Sequence, residues 1–366
     1  MNRLKAKAIS RFRLKINGKE VVDFSGSAAI AGYFFGNENI GGVSSNIFET
    51  DESFELRKKL SIITQKKNVF LTSSATEACD IALASEKKST IISFEGAYHG
   101  LTYLTRKVSF EKGIDLENKI VHLPFPIKDS MDEIENINSV IEKASKLLNL
   151  DQAALIFEPI QVHAGVRPIR KNLVSFIKEL KSRYNLTLIA DEAYTGYGRT
   201  GYFVYSRELG IEPDVIVFGK GIAGEMPLGA ICTNRNDLSE TGVLGTLSGN
   251  AKASSIALKL LDLLDEKMLN RVLTLSDKIK KLFSPLPYYF KEIRGSGFVL
   301  GIEFDEGSIK NGFNEIFREE LIRQGVVCNL VGEGKVLKIT LPVLINDDDF
   351  EFGTRAIEKT ILKFNK

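Results

Sequence analysis

The sequence predicts an α/β protein with a large, mostly parallel sheet flanked by helices, followed by a smaller α+β domain. Short apolar runs alternate with helix-length segments through most of the chain, which is the pattern of a parallel sheet. These runs are almost continuously apolar, as expected of strands buried on both faces. We expect strands in VFLT (69–72), TIISF (90–94), ALIFEP (154–159), LTLIADE (186–192) and DVIVFGK (214–220).

The N-terminal segment is predicted to be a β-hairpin. RFRLKI and KEVVDF flank Asn17-Gly18, a dipeptide typical of two-residue hairpin turns. The basic stretch before them resembles an organellar transit peptide in composition, but the hairpin accounts for the segment better. We therefore predict a hairpin and connector at residues 1–40 that pack with the small domain.

The pattern changes near Ala251, where a long helical segment begins. It leads into the strand GFVLGIEF, the helix FNEIFREELIRQG, the strand KVLKITLPVLI and a last helix from Asp347 onward. We therefore predict a large α/β domain at residues 41–250 and a small α+β domain at residues 251–366.

The composition excludes several classes of function. The 366 residues are 43% hydrophobic and 26% charged, and 49 basic against 47 acidic side chains leave a net charge of +2, so neither nucleic acid nor a membrane is an expected partner. No apolar run reaches the roughly 18 residues of a membrane span, and a secretory apolar segment is missing, so we expect a cytoplasmic protein. The three cysteines and three histidines are scattered, which predicts neither disulfides nor a metal site.

Ligands of open parallel sheets bind at the carboxyl ends of the strands, so the residues there are compared first. DEAYTGYGRTG (191–201) contains G-x-G-x-x-G, the pattern of a dinucleotide loop. Such a loop needs its first glycine directly after the strand, whereas here five residues precede Gly196 and two of them are acidic. The sequence therefore favours a plain glycine-rich turn over a nucleotide site.

Lys220 and Asp191 follow two different apolar strands. A lysine here is often solvated, but the glycine-rich, nearly uncharged segment after Lys220 predicts a desolvated amine, which suits Schiff-base chemistry. Asp191 either caps a loop or holds a pyridinium nitrogen, which lets that ring accept electrons from a carbanion. Together the two residues indicate pyridoxal phosphate.

That cofactor also needs a phosphate site. Ser74, Ala75 and Thr76 follow the strand VFLT and open a helix, whose free N–H groups and dipole attract an anion. Ser74 and Glu77 equally fit an ordinary capping box. Tyr98 offers a flat face for stacking on a ring, or is simply a half-buried aromatic residue.

In this order, the motifs resemble those of the class III (ornithine/4-aminobutyrate/glutamate-semialdehyde type) pyridoxal-phosphate aminotransferases of fold type I. The resemblance makes DEAYTGYGRTG similar to the family block D-E-x-x-x-G-x-G-R-T-G. The matching stretches are INGKEVVDFSG, SSATEACDIAL, FEGAYHG, ALIFEPIQ, LIADEAYTGYGRTG, PDVIVFGKGIAGEMPLGAI, GTLSGN and IRGSGFVLGIEF.

The resemblance implies a role for each matching residue. Lys220 would form the internal aldimine with pyridoxal phosphate and move the proton between substrate and cofactor. Asp191 would pair with the pyridine nitrogen, and Tyr98 would stack on the ring. Ala75 and Thr76 would lie at the phosphate.

Three further roles follow from the same resemblance. Glu158 matches the acid before proline near the cofactor, and Arg294 matches the arginine that commonly binds a substrate carboxylate, for which a guanidinium is well suited. Thr246 would reach the phosphate of a neighbouring subunit. This last role implies a homodimer with shared active sites.

The chain also departs from the family pattern. Ala75 replaces a glycine, and Tyr194 replaces the glutamine that faces the ring hydroxyl in many members. Val162 and His163 stand where ornithine-type enzymes have G-E, so His163 is expected to touch substrate, and an ornithine or 4-aminobutyrate specificity is disfavoured. The stretch between Phe24 and Phe54 is short for the family.

The resemblance implies an aminotransferase that moves nitrogen from an amino donor to a keto or aldehyde acceptor. FEGAYHG and GTLSGN are more similar to the glutamate-1-semialdehyde aminomutase branch, so an aminomutase or racemase is one alternative. The changes at Tyr194, Val162 and His163 leave a catalytically degenerate binding protein as another.

Overall fold

The computed structural model describes residues 49–86, 90–236, 238, 245–285, 290–305 and 313–364. Residues 4–10, 13–16, 19–22 and 48 are described by their backbone. These ranges cover every strand and helix discussed below. Among the helices of these ranges, none combines the length and the apolar character that a membrane span requires.

The N-terminal hairpin is confirmed. A four-stranded sheet has the order β3-β2-β1-β4, and Ile16 pairs with Lys19 across an antiparallel ladder. The turn residues Asn17 and Gly18 lie outside the described residues. The strands are β1 (Leu4–Ser10), β2 (Arg13–Ile16), β3 (Lys19–Val22) and β4 (Phe48–Glu49).

The central part of the chain alternates strands with helices. Its elements are α1 (Asp51–Thr64), β5 (Asn68–Thr72), α2 (Ala75–Ala84), β6 (Ile91–Phe94), α3 (Tyr103–Lys107), β7 (Gly113–Asp115), β8 (Ile120–Leu123), α4 (Met131–Leu147), β9 (Ala154–Phe157), β10 (Ile160–Gln161), β11 (Arg167–Pro168), α5 (Lys171–Tyr184), β12 (Thr187–Asp191), α6 (Tyr205–Glu208), β13 (Val215–Phe218) and β14 (Gly229–Thr233). A short 3₁₀ turn, Lys220–Ala223, follows β13.

Eight of these strands form the large sheet, in the order β5-β14-β13-β12-β9-β6-β8-β7. The strands from β13 to β8 are parallel to one another, while β14 is antiparallel to both β13 and β5. Strands β6, β8, β9 and β13 are buried along their whole length, as their continuous apolar sequences predict. The predicted α/β class is confirmed.

The C-terminal part forms a four-stranded antiparallel sheet with the order β15-β16-β18-β17. Helices α8, α9 and α10 contribute side chains to its apolar core. The elements are α7 (Ala251–Leu263), α8 (Glu266–Phe283), β15 (Phe290–Ser296), β16 (Val299–Phe304), α9 (Phe313–Arg323), β17 (Asn329–Val331), β18 (Val336–Ile339) and α10 (Asp347–Lys363).

The helical pattern after Ala251 forms two helices. The Asp265 side chain accepts a hydrogen bond from the Met268 N–H and so begins α8 just after α7 ends. Ala253 and Ala257 of α7 pack in the same apolar cluster as Leu56 of α1. The division of the chain into residues 1–40, 41–250 and 251–366 stays a prediction.

Candidate active site

Six of the predicted site residues meet at one edge of the large sheet: Ser74, Ala75, Thr76, Tyr98, Asp191 and Lys220. Strands β5, β12 and β13 run in the same direction, so the residues after each of them emerge on that edge. A cavity of about 350 Å³ opens there. It is lined by Ser73, Ser74, Ala75, Thr76, Tyr98, His99, Gly100, Asp191, Ala193, Lys220, Gly224, Glu225, Met226, Pro227 and Leu228.

Asp191 is buried at the end of β12. His99 Nδ1 donates to Asp191 Oδ2 over 2.9 Å, and the Ala193 N–H donates to Asp191 Oδ1 over 3.1 Å. Burial raises the pKa of a carboxyl, but here the hydrogen bond and charge of His99, with Lys220 nearby, hold the pKa of Asp191 below its ordinary value. Asp191 is therefore an anion that faces the cavity.

Two partners of Asp191 were not foreseen as a cluster from the sequence. Cys79 Sγ, a ring nitrogen of His99 and a carboxylate oxygen of Asp191 lie within 4.8 Å of one another, and all three residues are buried. Burial, and then the charge of Asp191, raises the pKa of the Cys79 thiol well above its usual range, so the thiol stays protonated. Within the described part of the chain, His99 Nε2 has no hydrogen-bond partner. One signal was available, since His99 directly follows the predicted Tyr98.

The N-terminus of α2 forms another wall of the cavity. Ser74 Oγ accepts from the Glu77 N–H over 3.1 Å, so Ser74 caps the helix as the capping interpretation requires. The Glu77 carboxylate accepts from the Ser73 N–H over 2.6 Å instead of from Ser74. The N–H groups of Ala75 and Thr76 belong to the first turn, which has no intrahelical acceptors. Helix geometry and dipole both suit a phosphate group at this end.

Lys220 differs from the sequence prediction in one respect. We expected a desolvated amine, whereas the side chain is exposed, because it leaves the strand end between glycines and extends into an open cavity. Gly219 is needed beside it. A Cβ on Gly219 would overlap the Ala75 methyl group and lie 2.9 Å from the Ala75 nitrogen.

Tyr194 lies between two lysines. Lys220 Nζ is 4.9 Å from the centre of the Tyr194 ring, and Lys338 Nζ is 5.2 Å from it. The Tyr194 hydroxyl lies 3.2 Å from Thr340 Oγ1. Burial raises the pKa of the Tyr194 phenol, but its hydrogen bonds with Thr340 and Lys338 outweigh burial and lower it. Lys338 is a cation of this site that the sequence interpretation missed.

Tyr98 and His163 form an aromatic pair beside Glu158. Their ring centres lie 4.3 Å apart at an angle of 46°, and the Tyr98 N–H donates to Glu158 Oε1 over 2.8 Å. Burial raises the pKa of Glu158 to about 7. Burial first, then Lys220 and Lys338, lower the pKa of His163, so its imidazole is neutral at pH 7.

Arg294 is not brought to this cavity. It is buried on β15, where its guanidinium donates to the carbonyl oxygens of Gly165 and Val166 and pairs with Glu292 and Glu303. Arg294 is not among the described residues that line the cavities around Lys220. These contacts indicate a structural ion pair, and the role of Arg294 as a carboxylate ligand stays a prediction.

Thr246 lies in a turn that packs near the N-terminus of α2 in its own chain. Ser248 Oγ of the same turn is 3.1 Å from Ser73 Oγ and 3.4 Å from the Glu77 carboxylate. Thr246 itself is half-buried. Its predicted contact with a neighbouring subunit stays a prediction.

The arrangement of the cavity indicates a class of protein. The Asp191 carboxylate would suit the ring nitrogen of pyridoxal phosphate, the Lys220 amine would suit its aldehyde, and the N-terminus of α2 would suit its phosphate. The family model for aminotransferase class III matches residues 36–361. Ornithine aminotransferase 1 of Staphylococcus saprophyticus is 28% identical over 342 residues, which cover 87% of this chain and 82% of that protein. Succinylornithine transaminase of Salmonella newport is 30% identical over 363 residues, covering 92% and 86%.

Solved structures agree in fold. The pyridoxal-phosphate-bound amine transaminase from an uncultivated Pseudomonas species has a TM-score of 0.75 at 20% identity, covering 99% of this chain and 95% of that one. The chain belongs to the class III aminotransferase family. It is a pyridoxal-phosphate-dependent enzyme of transamination.

Proposed function

We propose that Lys220 is the residue that holds the cofactor aldehyde and carries the proton during transfer of nitrogen from an amino donor to a keto or aldehyde acceptor. When bound, pyridoxal phosphate supplies an electron-accepting ring that stabilises a carbanion at the substrate carbon. The single observation that carries the proposal is that Lys220 and the anionic Asp191 line the same cavity as the N-terminus of α2.

The other site residues would each bind a different part of the cofactor. Asp191 would pair with the pyridine nitrogen, because its carboxylate stays ionised although it is buried. Ser74, Ala75 and Thr76 would hold the phosphate at the N-terminus of α2. Tyr98 would stack on the ring, and its backbone is fixed by Glu158.

Tyr194 and His163 would face the reacting groups. Tyr194 lies against Lys220, and His163 packs on Tyr98, which lines the cofactor cavity, so we propose that both side chains lie next to the bound substrate. The relatives include enzymes named for ornithine and succinylornithine. Because His163 is neutral and replaces an acid of the ornithine type, we propose an amino donor other than ornithine.

We further propose a cytoplasmic homodimer in which Thr246 of one subunit reaches the phosphate held by its partner. Four large apolar side chains near the cavity, Leu101, Tyr103, Phe110 and Leu247, are each more than half exposed. Large exposed apolar side chains are expected on a surface that another chain covers. Three of the four follow the Gly96–Gly100 loop that borders the cofactor cavity.

The experiment is the absorption spectrum of the purified protein with pyridoxal phosphate, before and after adding a panel of amino acids. We expect a visible band that one amino donor bleaches and that Lys220→Ala abolishes. Lys338→Met is the matched control, because Lys338 lies against the same tyrosine ring and should leave the band in place. A band that survives Lys220→Ala unchanged would contradict the proposal.

The same assay separates a transaminase from an aminomutase. A transaminase stops after one half-reaction until an oxo acceptor is added, and its bleached spectrum then recovers. An aminomutase turns over a single substrate without any acceptor. We expect recovery to require the acceptor.

A further inference from the structure

A second cavity, of about 450 Å³, adjoins the cofactor cavity at Ala193 and Lys220. Its size is within the range of about 300–1,000 Å³ that is usual for small-molecule sites. It lies between α7 and the segment around residues 340–344, and the Tyr194 ring forms part of its wall. A substrate that reacts at Lys220 therefore has room to extend into this second cavity.

The wall of the second cavity is mainly apolar. Ile222, Leu260, Leu263 and Leu264 cover one part, and Val343 and Leu344 cover another. None of the described residues that line it is acidic. A substrate with a second ammonium group would leave that charge without a counter-ion, whereas an aliphatic or aromatic chain would gain from burial.

Among the described residues that line this cavity, Arg199 is the one cation besides Lys220. Its guanidinium donates to the Leu341 carbonyl oxygen, and its Nη2 lies 4.0 Å from the position that a Cβ on Gly221 would take. Burial lowers the pKa of Arg199, which means that its charge is poorly solvated. Across the described ranges, no carboxylate lies within ion-pair distance of Arg199. A partly buried arginine whose charge is poorly solvated and has no acid beside it is well placed to bind an anionic ligand.

The surroundings of Arg199 strengthen the demand for an anion. Lys220 and Lys338 both lie about 5 Å from the Tyr194 ring, and Arg199 also acts electrostatically on the Tyr194 phenol. For neither lysine does the described part of the chain provide an acidic partner within ion-pair distance. Arg199 is the member of this group that, together with Lys220, lines the apolar cavity. A guanidinium also matches the planar geometry of a carboxylate.

We propose that Arg199 binds the carboxylate of the substrate and that the apolar wall takes an uncharged aliphatic or aromatic chain. The substrate class is thus an amino acid or oxo acid with one carboxylate and an apolar chain. Arg199 determines specificity and takes no part in proton transfer. This inference rests on the proposed function, because it assigns the second cavity to the substrate that reacts at Lys220.

The test measures binding without turnover. Calorimetry of the protein loaded with pyridoxal phosphate compares hexanoate with hexanamide, which share a chain and differ in charge. We expect hexanoate to bind more tightly, Arg199→Met to weaken hexanoate about tenfold or more, and hexanamide to be unaffected. Arg199→Lys should recover part of the hexanoate affinity. A loss that is equal for both probes would mean that Arg199 only supports the fold, and would overturn the proposal.

Two further variants complete the test. Leu264→Ser should weaken the binding of hexanoate and of hexanamide by a similar factor, since it changes the apolar wall of the second cavity and leaves the charge of Arg199 in place. Lys338→Met removes the neighbouring cation, and a selective loss of hexanoate in that variant but not in Arg199→Met would overturn the assignment. The visible cofactor band is recorded for every variant. A normal band with unchanged hexanoate binding rejects the role of Arg199 alone, whereas the absence of a Lys220-dependent band rejects the proposed function itself.

Discussion

Gly219 and Ala75 are two residues whose side chains must be considered together. The Ala75 methyl group lies against Gly219, so any Cβ on Gly219 would overlap it. The backbone of Gly219 is extended, with φ of 178°, and therefore the restriction is one of space. A small residue on each side keeps the strand end of Lys220 against the first turn of α2.

Gly219→Ala is expected to weaken both the fold and the cofactor site. Overpacking of this kind costs about 1–3 kcal/mol, and it displaces α2 from the Lys220 turn. The measurements are the denaturation midpoint and the dissociation constant for pyridoxal phosphate. Ala75→Gly in the same chain should restore part of both, because it removes the closest carbon. A double variant no better than Gly219→Ala would contradict this account.

The raised pKa of Glu158 leads to a prediction about how stability depends on pH. Its pKa is about 7 in the folded protein against 4.5 for a free side chain, so the folded state binds the proton more tightly. Below about pH 4.5 the carboxyl is protonated in both states, and the folded protein has its full free energy of unfolding. As the pH rises from 4.5 towards 7, the unfolded state loses this proton first, and the free energy of unfolding falls. Glu158→Gln should remove this loss, which corresponds to about 3 kcal/mol. The measurement is the free energy of unfolding of the cofactor-free protein across this window, where parallel curves for the two proteins would contradict the prediction.

At the residue scale, the sequence located the groups that follow strand ends and missed those that depend on distant partners. Lys220 and Asp191 were predictable because parallel strands bring their ends to one edge. Arg199 was seen only as part of a motif, since the carbonyl it meets belongs to Leu341. The contact of Arg294 with Glu303 could not be predicted, because it comes from the pairing of β15 with β16, which a motif does not display.

The N-terminus of α2 allows a comparison between two similar helix caps. Ser74 caps α2 through the Glu77 N–H, and Ser130 caps α4 through the Glu133 N–H, so both follow the pattern S-x-x-E. Ser130 is not among the residues that line the cavity of Lys220. The two serines therefore have the same local chemistry and different positions.

Ser74→Ala and Ser130→Ala should each lower the free energy of unfolding by about 1 kcal/mol, because each removes a cap. Only Ser74→Ala should also weaken the binding of inorganic phosphate and of pyridoxal phosphate. Equilibrium denaturation and calorimetry provide the two measurements. If Ser130→Ala weakens phosphate binding as much as Ser74→Ala does, then α2 is not the phosphate site.

The elements themselves were predicted well where the pattern was local. The apolar runs of β6, β9, β12 and β13 became buried strands. The break between α7 and α8 was less visible, because Asp265 is a common residue within helical patterns and its capping bond requires the chain to turn there. A residue that can cap a helix does so only when the surrounding packing places a helix start beside it.

At the scale of the whole molecule, the proposed homodimer can be tested by mixing two variants. The Lys220→Ala variant lacks the lysine of its own site but keeps Thr246 for the site of its partner. The Thr246→Val variant keeps its own Lys220 but cannot supply the threonine to its partner. A mixed dimer then contains one site with a native Lys220 and a native Thr246 from the other subunit. We expect each variant alone to be impaired and the mixture, after dissociation and reassociation, to regain activity. No recovery in verified mixed dimers would contradict shared sites.

The sequence predicted the fold class and the family because both rest on the order of strands and motifs along one chain. The relation between the two sheets was less accessible. Helix α7 begins where the composition changes, yet its small residues pack against α1 beside the large sheet. Composition records the content of a segment, whereas its packing depends on the segments that it meets.

Strand β5 is joined to the large sheet solely through β14 among the described strands, with Asn68 opposite Thr233. During synthesis, the ribosome must therefore finish β14 before β5 can pair, long after β6, β8 and β9 exist. Such a distant contact slows closure of the sheet. Ser74 and Lys220 follow β5 and β13, the two neighbours of β14, so they reach their final separation only after β14 has paired with both strands, and the two sides of the cofactor cavity come together only after residue 233 has been made.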